Sequence, residues 1–272
     1  MEEIHESFKG KTVLVTGGAG AIGGNLVRKL NELDTKKIVI LDDLSSSYEW
    51  NIPRGPKIQF IKGDILDEEK LKWAFKGRPE IVYHLAAHFA NQNSVDNPET
   101  DLMVNGMGTL KVLEHAHLVG VERFVYASSG CGIYGAGCQI PFREETVSMM
   151  LYTPYQVTKM LGELYTNYFH NLYEMPIVNA RFFNSYGPGE VYNVGGRLEW
   201  ERDIKEYSDL VLKAVGVDDS LVTYKKAEPI TTKVKHMDFT KAVKDLKHDP
   251  KVPPGEGIKR TVEWMRSHYR LG

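Results

Sequence analysis

A chain of 272 residues is long enough to bury a sizeable core as one α/β unit, with room for a smaller appended lobe. Its 34 lysines and arginines against 36 aspartates and glutamates leave a formal net charge of −2, which argues against a dedicated nucleic-acid surface. No apolar run reaches the ~18 residues a membrane span needs, and the polar, acidic start Met1-Glu2-Glu3-Ile4-His5-Glu6 is unlike a signal peptide, so a cytoplasmic protein is expected.

The first element is the apolar run Thr12-Val13-Leu14-Val15, of strand length. It leads into T-G-G-A-G-A-I-G at residues 16–23, after which Ile22, Leu26, Val27 and Leu30 recur at helical spacing. A strand running through glycines into a helix is a dinucleotide-binding turn. Gly17 permits the tight bend, Gly20 lets the backbone approach a pyrophosphate, and Gly23 lets helix and strand pack closely. The diphosphate is expected on the free N–H groups at the start of that helix, around Ala21 and Ile22. The next strand, Lys37-Ile38-Val39-Ile40-Leu41, ends in Asp42-Asp43, where a carboxylate accepts hydrogen bonds from the adenosine ribose hydroxyls. No arginine follows directly to hold a 2′-phosphate, so NAD is expected rather than NADP.

Further strands are read at Ile58-Gln59-Phe60-Ile61, at 80–85, at Arg123-Phe124-Val125-Tyr126-Ala127 and at Ile177-Val178-Asn179-Ala180-Arg181. Helical patterns fill the gaps at 68–75, 98–119 and 154–173. Near-continuously apolar strands alternating with amphipathic helices suit a parallel sheet covered on both faces. The expected fold is therefore a Rossmann-type, doubly wound α/β sheet. Asp64, with Ile65 after it, follows the third strand. It has two readings, a carboxylate reaching the adenine amino group and a turn aspartate. Leu85-Ala86-Ala87 ends the fourth strand with small side chains that let a cofactor lie close. His84 and His88 flank these residues without the companions a metal site needs, so no metal is expected. Cys131 and Cys138 are not at zinc-ligand spacing and read as free thiols.

Thr153-Pro154-Tyr155-Gln156-Val157-Thr158-Lys159 carries the most chemistry. Tyr155 and Lys159, four apart, project from one face of a helix. A free tyrosine titrates near ~10 and is a poor base at neutral pH. A neighbouring ammonium and a positively charged nicotinamide ring both favour phenolate. Tyr155 is then the base that takes a proton from a substrate hydroxyl while the carbon loses hydride to NAD, and Lys159 also holds the nicotinamide ribose.

On these residues the chain resembles an extended short-chain dehydrogenase/reductase, of the nucleotide-sugar epimerase, dehydratase and decarboxylase group. The similarity rests on residues 16–23, Asp42, Asp64, Leu85-Ala86-Ala87, Val104-Asn105 with Gly108-Thr109, Ala127-Ser128-Ser129, Tyr134-Gly135 and the Tyr155/Lys159 pair. It continues through Arg181-Phe182-Phe183-Asn184-Ser185-Tyr186-Gly187-Pro188, Val191-Tyr192-Asn193-Val194-Gly195-Gly196 and the tail Ile258, Thr261-Val262-Glu263-Trp264. The resemblance implies that Asn184 binds the sugar-nucleotide side, with Phe183 and Ser185 beside the nicotinamide. It makes Ser128 a cofactor neighbour and Asn105 the asparagine that orders the active-site helix. It also implies an NAD-binding domain over 1–181, a reduced substrate lobe over 182–272, and a homodimer through a four-helix bundle.

Two departures qualify the resemblance. Relatives carry Ser or Thr four residues before the tyrosine of the Tyr-Gly pair, and here that position is Gly130; either Ser129 serves or the hydroxyl is absent, with Cys131 a third candidate. Relatives also carry a long stretch between Tyr-Gly-Pro and Tyr-Asn-Val-Gly, whereas Tyr186-Gly187-Pro188-Gly189-Glu190 here runs straight into Val191. Beyond it, helices are read at 199–215, 239–246 and 258–269, and a short strand at 220–224. Lys233 and Lys235 fall where relatives present basic residues to the diphosphate, or are solvated charge; Arg197 is similarly open. Cys131-Gly132 occupies the place of the acidic pair of 4,6-dehydratases, and decarboxylases usually carry glutamate at the position of Gly132. The leading expectation is a UDP-sugar 4-epimerase acting on UDP-glucose or UDP-glucuronate. UDP-glucuronate decarboxylation and a catalytically impaired nucleotide-binding protein are the alternatives.

Overall fold

Each apolar run becomes a strand because helices cover the sheet on both sides. The computed structural model describes residues 2–89, 91–135, 138–182, 191–194, 198–220, 222–225, 236 and 238–269. Its strands are β1 (Thr12–Thr16), β2 (Lys37–Asp42), β3 (Ile58–Lys62), β4 (Ile81–His84), β5 (Arg123–Ser129), β6 (Ile177–Phe182) and β7 (Val191–Val194). They form one sheet in the order β3-β2-β1-β4-β5-β6-β7, with every neighbouring pair parallel. The helices are α1 (Glu2–Phe8), α2 (Ala21–Glu32), α3 (Glu68–Phe75), α4 (Asn91–Asp96), α5 (Pro98–Asp101), α6 (Thr109–Val119), α7 (Gly130–Tyr134), α8 (Pro154–Tyr173), α9 (Ile204–Val215), α10 (Thr240–Leu246) and α11 (Pro254–Tyr269).

Period-two alternation splits the core between the faces. Val13, Val15, Ile38 and Ile40 pack on one side with Val27 and Leu30 of α2. Leu14, Leu41, Val82, Phe124 and Tyr126 pack on the other with residues of α3, α6 and α8. Each such side chain, fully buried, contributes about 1.5–3 kcal/mol. The strand order reverses at the β1/β4 junction, and in doubly wound sheets a ligand crevice opens there, at the carboxyl ends of the strands.

The helix expected over 98–119 is continuous in path but changes pitch. A π-helical turn at Leu102–Gly108 joins α5 to α6. Its small residues let it press close: a Cβ on Gly108 would lie 2.5 Å from Ile65 Cδ1. The short strand expected over 220–224 is not formed at its described residues. Local turns take the backbone donors instead, with the Ser220 amide donating to the Asp218 carboxylate and the Val222 amide to Asp219 O. The helices expected at 199–215 and 258–269 are found as α9 and α11, the first starting later and the second earlier. At the C-terminal end, the Phe142 amide donates to His236 O and the Asp238 amide to Phe142 O, while Phe239 packs on the stacked rings of Tyr134 and Phe142. No described helix is long and apolar enough to cross a membrane.

Candidate active site

The glycine turn forms the floor of the crevice. Gly17 has φ +71°, and a Cβ there would lie 2.6 Å from the Ala86 amide nitrogen; at Gly23 it would lie 2.2 Å from Gly17 O. The amino end of α2 begins at Gly20 with no side-chain cap and no acidic residue in its first turn, leaving its N–H groups and dipole to an anion. Ala21 and Ile22 are exposed there. These features fit a dinucleotide, since the crevice holds room where side chains would fill it and donors where a diphosphate needs them.

Asn51, which sequence reasoning passed over, braces this turn from outside. Its Nδ2 donates to Ala19 O at 2.6 Å and to Gly20 O at 3.1 Å, and Arg28 Nη2 donates to its Oδ1 at 2.7 Å. Asp42 is buried and tied to the same turn: Oδ2 accepts the Ala19 amide at 2.9 Å, while Oδ1 accepts the Leu44 amide and the Ser47 hydroxyl. Asp43 is exposed and caps its own turn at Ser45. Asp64 accepts the Leu66 amide at 2.8 Å, which is the turn-aspartate geometry. The side chain of Ile65 lies in the core.

Leu85, Ala86 and Ala87 continue β4 along the crevice, half-buried, with the Leu85 amide on Thr16 O and the Ala86 amide on the Thr16 hydroxyl. Under them a buried chain links Thr16 Oγ1 to His84 Nδ1 (2.7 Å) and His84 Nε2 to Thr109 Oγ1 (2.9 Å). Burial, helped by the Lys159 charge, pushes His84 down from 6.5 to about 3. As pH falls below 6.5 the unfolded chain takes up a proton that the folded chain refuses. Stability is therefore expected to drop by about 1.4 kcal/mol per pH unit down to the folded value. Urea unfolding of wild type and His84→Gln across pH 4–7 checks this: the variant's slope should be shallower by that amount, and equal slopes would exclude it.

Thr153 caps α8, its hydroxyl accepting the Gln156 amide at 3.2 Å, and Pro154 occupies the first turn. Tyr155 and Lys159 lie one turn apart on this helix. The Tyr155 amide donates to the buried Ser94 hydroxyl at 3.0 Å, and Phe89 meets the Tyr155 ring edge-on at 5.9 Å. Lys159 is 3% exposed. Its Nζ donates to Ala127 O at 2.8 Å and lies 5.7 Å from the centre of the Tyr155 ring and 5.2 Å from that of Tyr126. Burial lowers the Lys159 ammonium to about 8, with the Asp101 carboxylate opposing.

At the end of β5 the Ser128 hydroxyl donates to Glu163 Oε1 at 2.6 Å, so its partner is α8. Ser129 is 6% exposed and pairs in register with Phe182; Gly130 follows and opens α7. Asn105 clamps the His88 peptide: Oδ1 accepts the His88 amide and Nδ2 donates to His88 O and to Thr158 of α8. The structure thus gathers the glycine turn, Asp42, residues 85–87, Asn105, Ser128, Ser129, Tyr155 and Lys159 around the carboxyl ends of β1, β2, β4 and β5. Phe183, Asn184, Ser185, Arg197, Lys233 and Lys235 lie outside the described residues.

The chain is similar to proteins of known class. The UDP-glucose 4-epimerase of Mycolicibacterium smegmatis is 38% identical over 178 residues, a match spanning 64% of this chain and 56% of that protein. A solved epimerase of the thermophilic methanogen Methanothermobacter thermautotrophicus is 46% identical with a TM-score of 0.83, covering 99% of this chain and 96% of its own. The UDP-glucose 4-epimerase of Thermotoga maritima, solved with UDP-glucose, is 28% identical with a TM-score of 0.85, covering 95% and 99%. Residues 13–202 match one family throughout, from the first strand past the Tyr155/Lys159 helix. This chain therefore belongs to the NAD dependent epimerase/dehydratase family, enzymes that work on nucleotide sugars.

Proposed function

We propose that the protein is a UDP-sugar 4-epimerase, acting on UDP-glucose or UDP-glucuronate with Tyr155 as the base. The observation that carries this reading is the Lys159 ammonium, buried beside the Tyr155 ring at the crevice where the glycine turn opens. The glycine turn, Asp42, Asp43, Asp64 with Ile65, and residues 85–87 would hold NAD, and bound NAD supplies a hydride acceptor. Lys159 favours the phenolate of Tyr155 and holds the nicotinamide ribose. Tyr155 takes the proton of the C4 hydroxyl while Ser129 donates a hydrogen bond to that oxygen. The 4-keto sugar turns within the site, and Tyr155 returns the proton to the C4 oxygen as C4 regains hydrogen on its other face. This cycle leaves every group as it began and needs no second acid, in keeping with Gly130 and Gly132 in the segment after Ser129.

Residues 1–181 form the cofactor-holding part in this reading, and 182–272, with Asn184 and Lys233, the part that meets the sugar nucleotide. A cytoplasmic setting belongs to the proposal too. Incubating the NAD-loaded protein with each UDP-sugar and resolving the products by NMR tests it. A C4 epimer supports the reading; carbon dioxide and a pentose nucleotide identify a decarboxylase instead. Bound NAD with no turnover of either sugar identifies a binding protein.

Leu102 and Met107 of the π-turn and Val157, Leu164 and Tyr168 of α8 are exposed apolar side chains on neighbouring helices. Their exposure on adjoining helices supports a two-fold dimer through four helices. Sedimentation at micromolar concentration should give twice the chain mass, and a monomer would overturn the assignment.

A further inference from the structure

Asp101 is fully buried at the end of α5, and the mechanism above leaves it without a task. Its Oδ2 accepts the Thr158 hydroxyl at 2.6 Å, and its Oδ1 accepts Asn105 Nδ2 at 2.9 Å. Among the described residues neither lysine nor arginine pairs with it; His88 Nδ1 approaches its Oδ1 at 3.5 Å. The orientation of that ring is fixed indirectly. Asn93 Nδ2 donates to Phe89 O at 3.0 Å, which identifies it as the amide nitrogen, and it also meets His88 Nε2 at 2.9 Å. Nε2 must then accept, so Nδ1 carries a proton, and that buried nitrogen has no hydrogen-bond partner among the described residues. Two groups from two segments therefore bind one buried carboxylate, Thr158 of α8 and Asn105 of the π-turn, and His88 of the loop after β4 stands beside it without a hydrogen bond. Thr158 directly precedes Lys159.

A buried carboxylate is costly unless its charge is used or offset. We propose that Asp101 is a positioning residue of this site, a buried counter-charge to Lys159 that, through Thr158 and Asn105, sets the helix carrying Tyr155 and Lys159 against the crevice. This deepens the functional reading above and rests on it for the role of Lys159. The charged and titratable groups around the pair come from every packed element. His84 of β4, Tyr126 of β5, Tyr155 of α8 and His88 of the loop after β4 stand beside Lys159 or Asp101. The electrostatic direction agrees, since the Asp101 charge raises Lys159 against the lowering effect of burial.

The test needs no turnover. Between about 8, where folded Lys159 loses its proton, and 10.5, its usual value, the unfolded chain binds a proton that the folded chain does not. Stability contributed by this group therefore rises with pH across that window. Asp101→Asn keeps the shape and the acceptor for Asn105, while its new amide can donate to Thr158, whose hydroxyl already lies 3.3 Å from Tyr155 O. Without the charge, folded Lys159 deprotonates lower, and the rise in urea-unfolding stability should begin about one pH unit earlier. In a Lys159→Met background the same substitution should move nothing in this window. An unshifted profile, or an equal shift with and without the lysine, overturns the proposal.

Thr158→Val reads the positioning role separately, because it keeps the charge. Its stability falls with the lost hydrogen bond to Asp101, but the pH at which stability begins to rise should match wild type, NAD affinity should hold, and kcat should fall about tenfold, the scale expected when a reacting group is slightly misplaced. Unchanged kcat in a folded, NAD-binding, epimerising protein overturns the positioning role. Should neither variant nor wild type turn over any UDP-sugar, the functional reading fails while the lysine coupling is still decided by the unfolding profiles.

Discussion

Replacing Tyr155 by phenylalanine is expected to lower epimerisation by at least ~100-fold, the scale of a lost general acid–base group, while NAD stays bound. Only the phenolic oxygen goes. The Tyr155 amide still donates to Ser94, the ring still meets Phe89 edge-on, and Lys159 still reaches Ala127 O. The helix and crevice therefore persist while the proton acceptor does not. Measuring NAD released on denaturation beside turnover of UDP-glucose separates the two effects. Persistent turnover would mean another group is the base, and lost NAD would mean the tyrosine serves binding instead.

The second large effect concerns stability. Glu163 of α8 and Arg181 of β6 form a buried ion pair at 2.8 Å, with Arg181 Nε also donating to Glu163 Oε1 at 2.9 Å. Burial works against the Arg181 charge, but the Glu163 carboxylate outweighs it and holds the guanidinium firmly charged. The pair gathers its surroundings: Ser128 donates to Glu163, and Arg181 Nη1 donates to Glu144 O at 2.8 Å and to the Tyr134 hydroxyl at 3.2 Å. Glu163→Gln leaves a buried guanidinium without its counter-charge, which costs about 3–5 kcal/mol. Urea unfolding near neutral pH should show a loss of that size, and a loss below ~1 kcal/mol would refute it. Glu163→Leu with Arg181→Met removes both charges and should regain most of the difference, because no charge is then left stranded.

The glycine turn and the Tyr155/Lys159 spacing are legible in the sequence itself. Gly17 and Gly23 were recognisable because their contacts are made within one strand–turn–helix unit, and the structure shows the close approaches that exclude a Cβ. Tyr155 and Lys159 were recognisable because four-residue spacing on a helix puts two side chains on one face. Asn51, Asp101 and Glu163 were not. Each acts through partners on a different element: Asn51 on the turn more than thirty residues earlier, Asp101 on Thr158, and Glu163 on Ser128 and Arg181. An isolated asparagine, aspartate or glutamate in a helical or loop pattern reads as solvated.

The sequence by itself determined the parallel α/β architecture, because period and apolar content decide which segments can be strands buried on both faces. It also determined the close-packed glycine turn and the one-turn spacing of Tyr155 and Lys159, which are local in the chain. Only the tertiary structure decided where β7 joins the sheet, that residues 102–108 take a π pitch, and that residues 222–225 are not strand. Backbone pairing between distant segments and side chains meeting across elements set those features. No window of neighbouring residues contains both partners of such a contact.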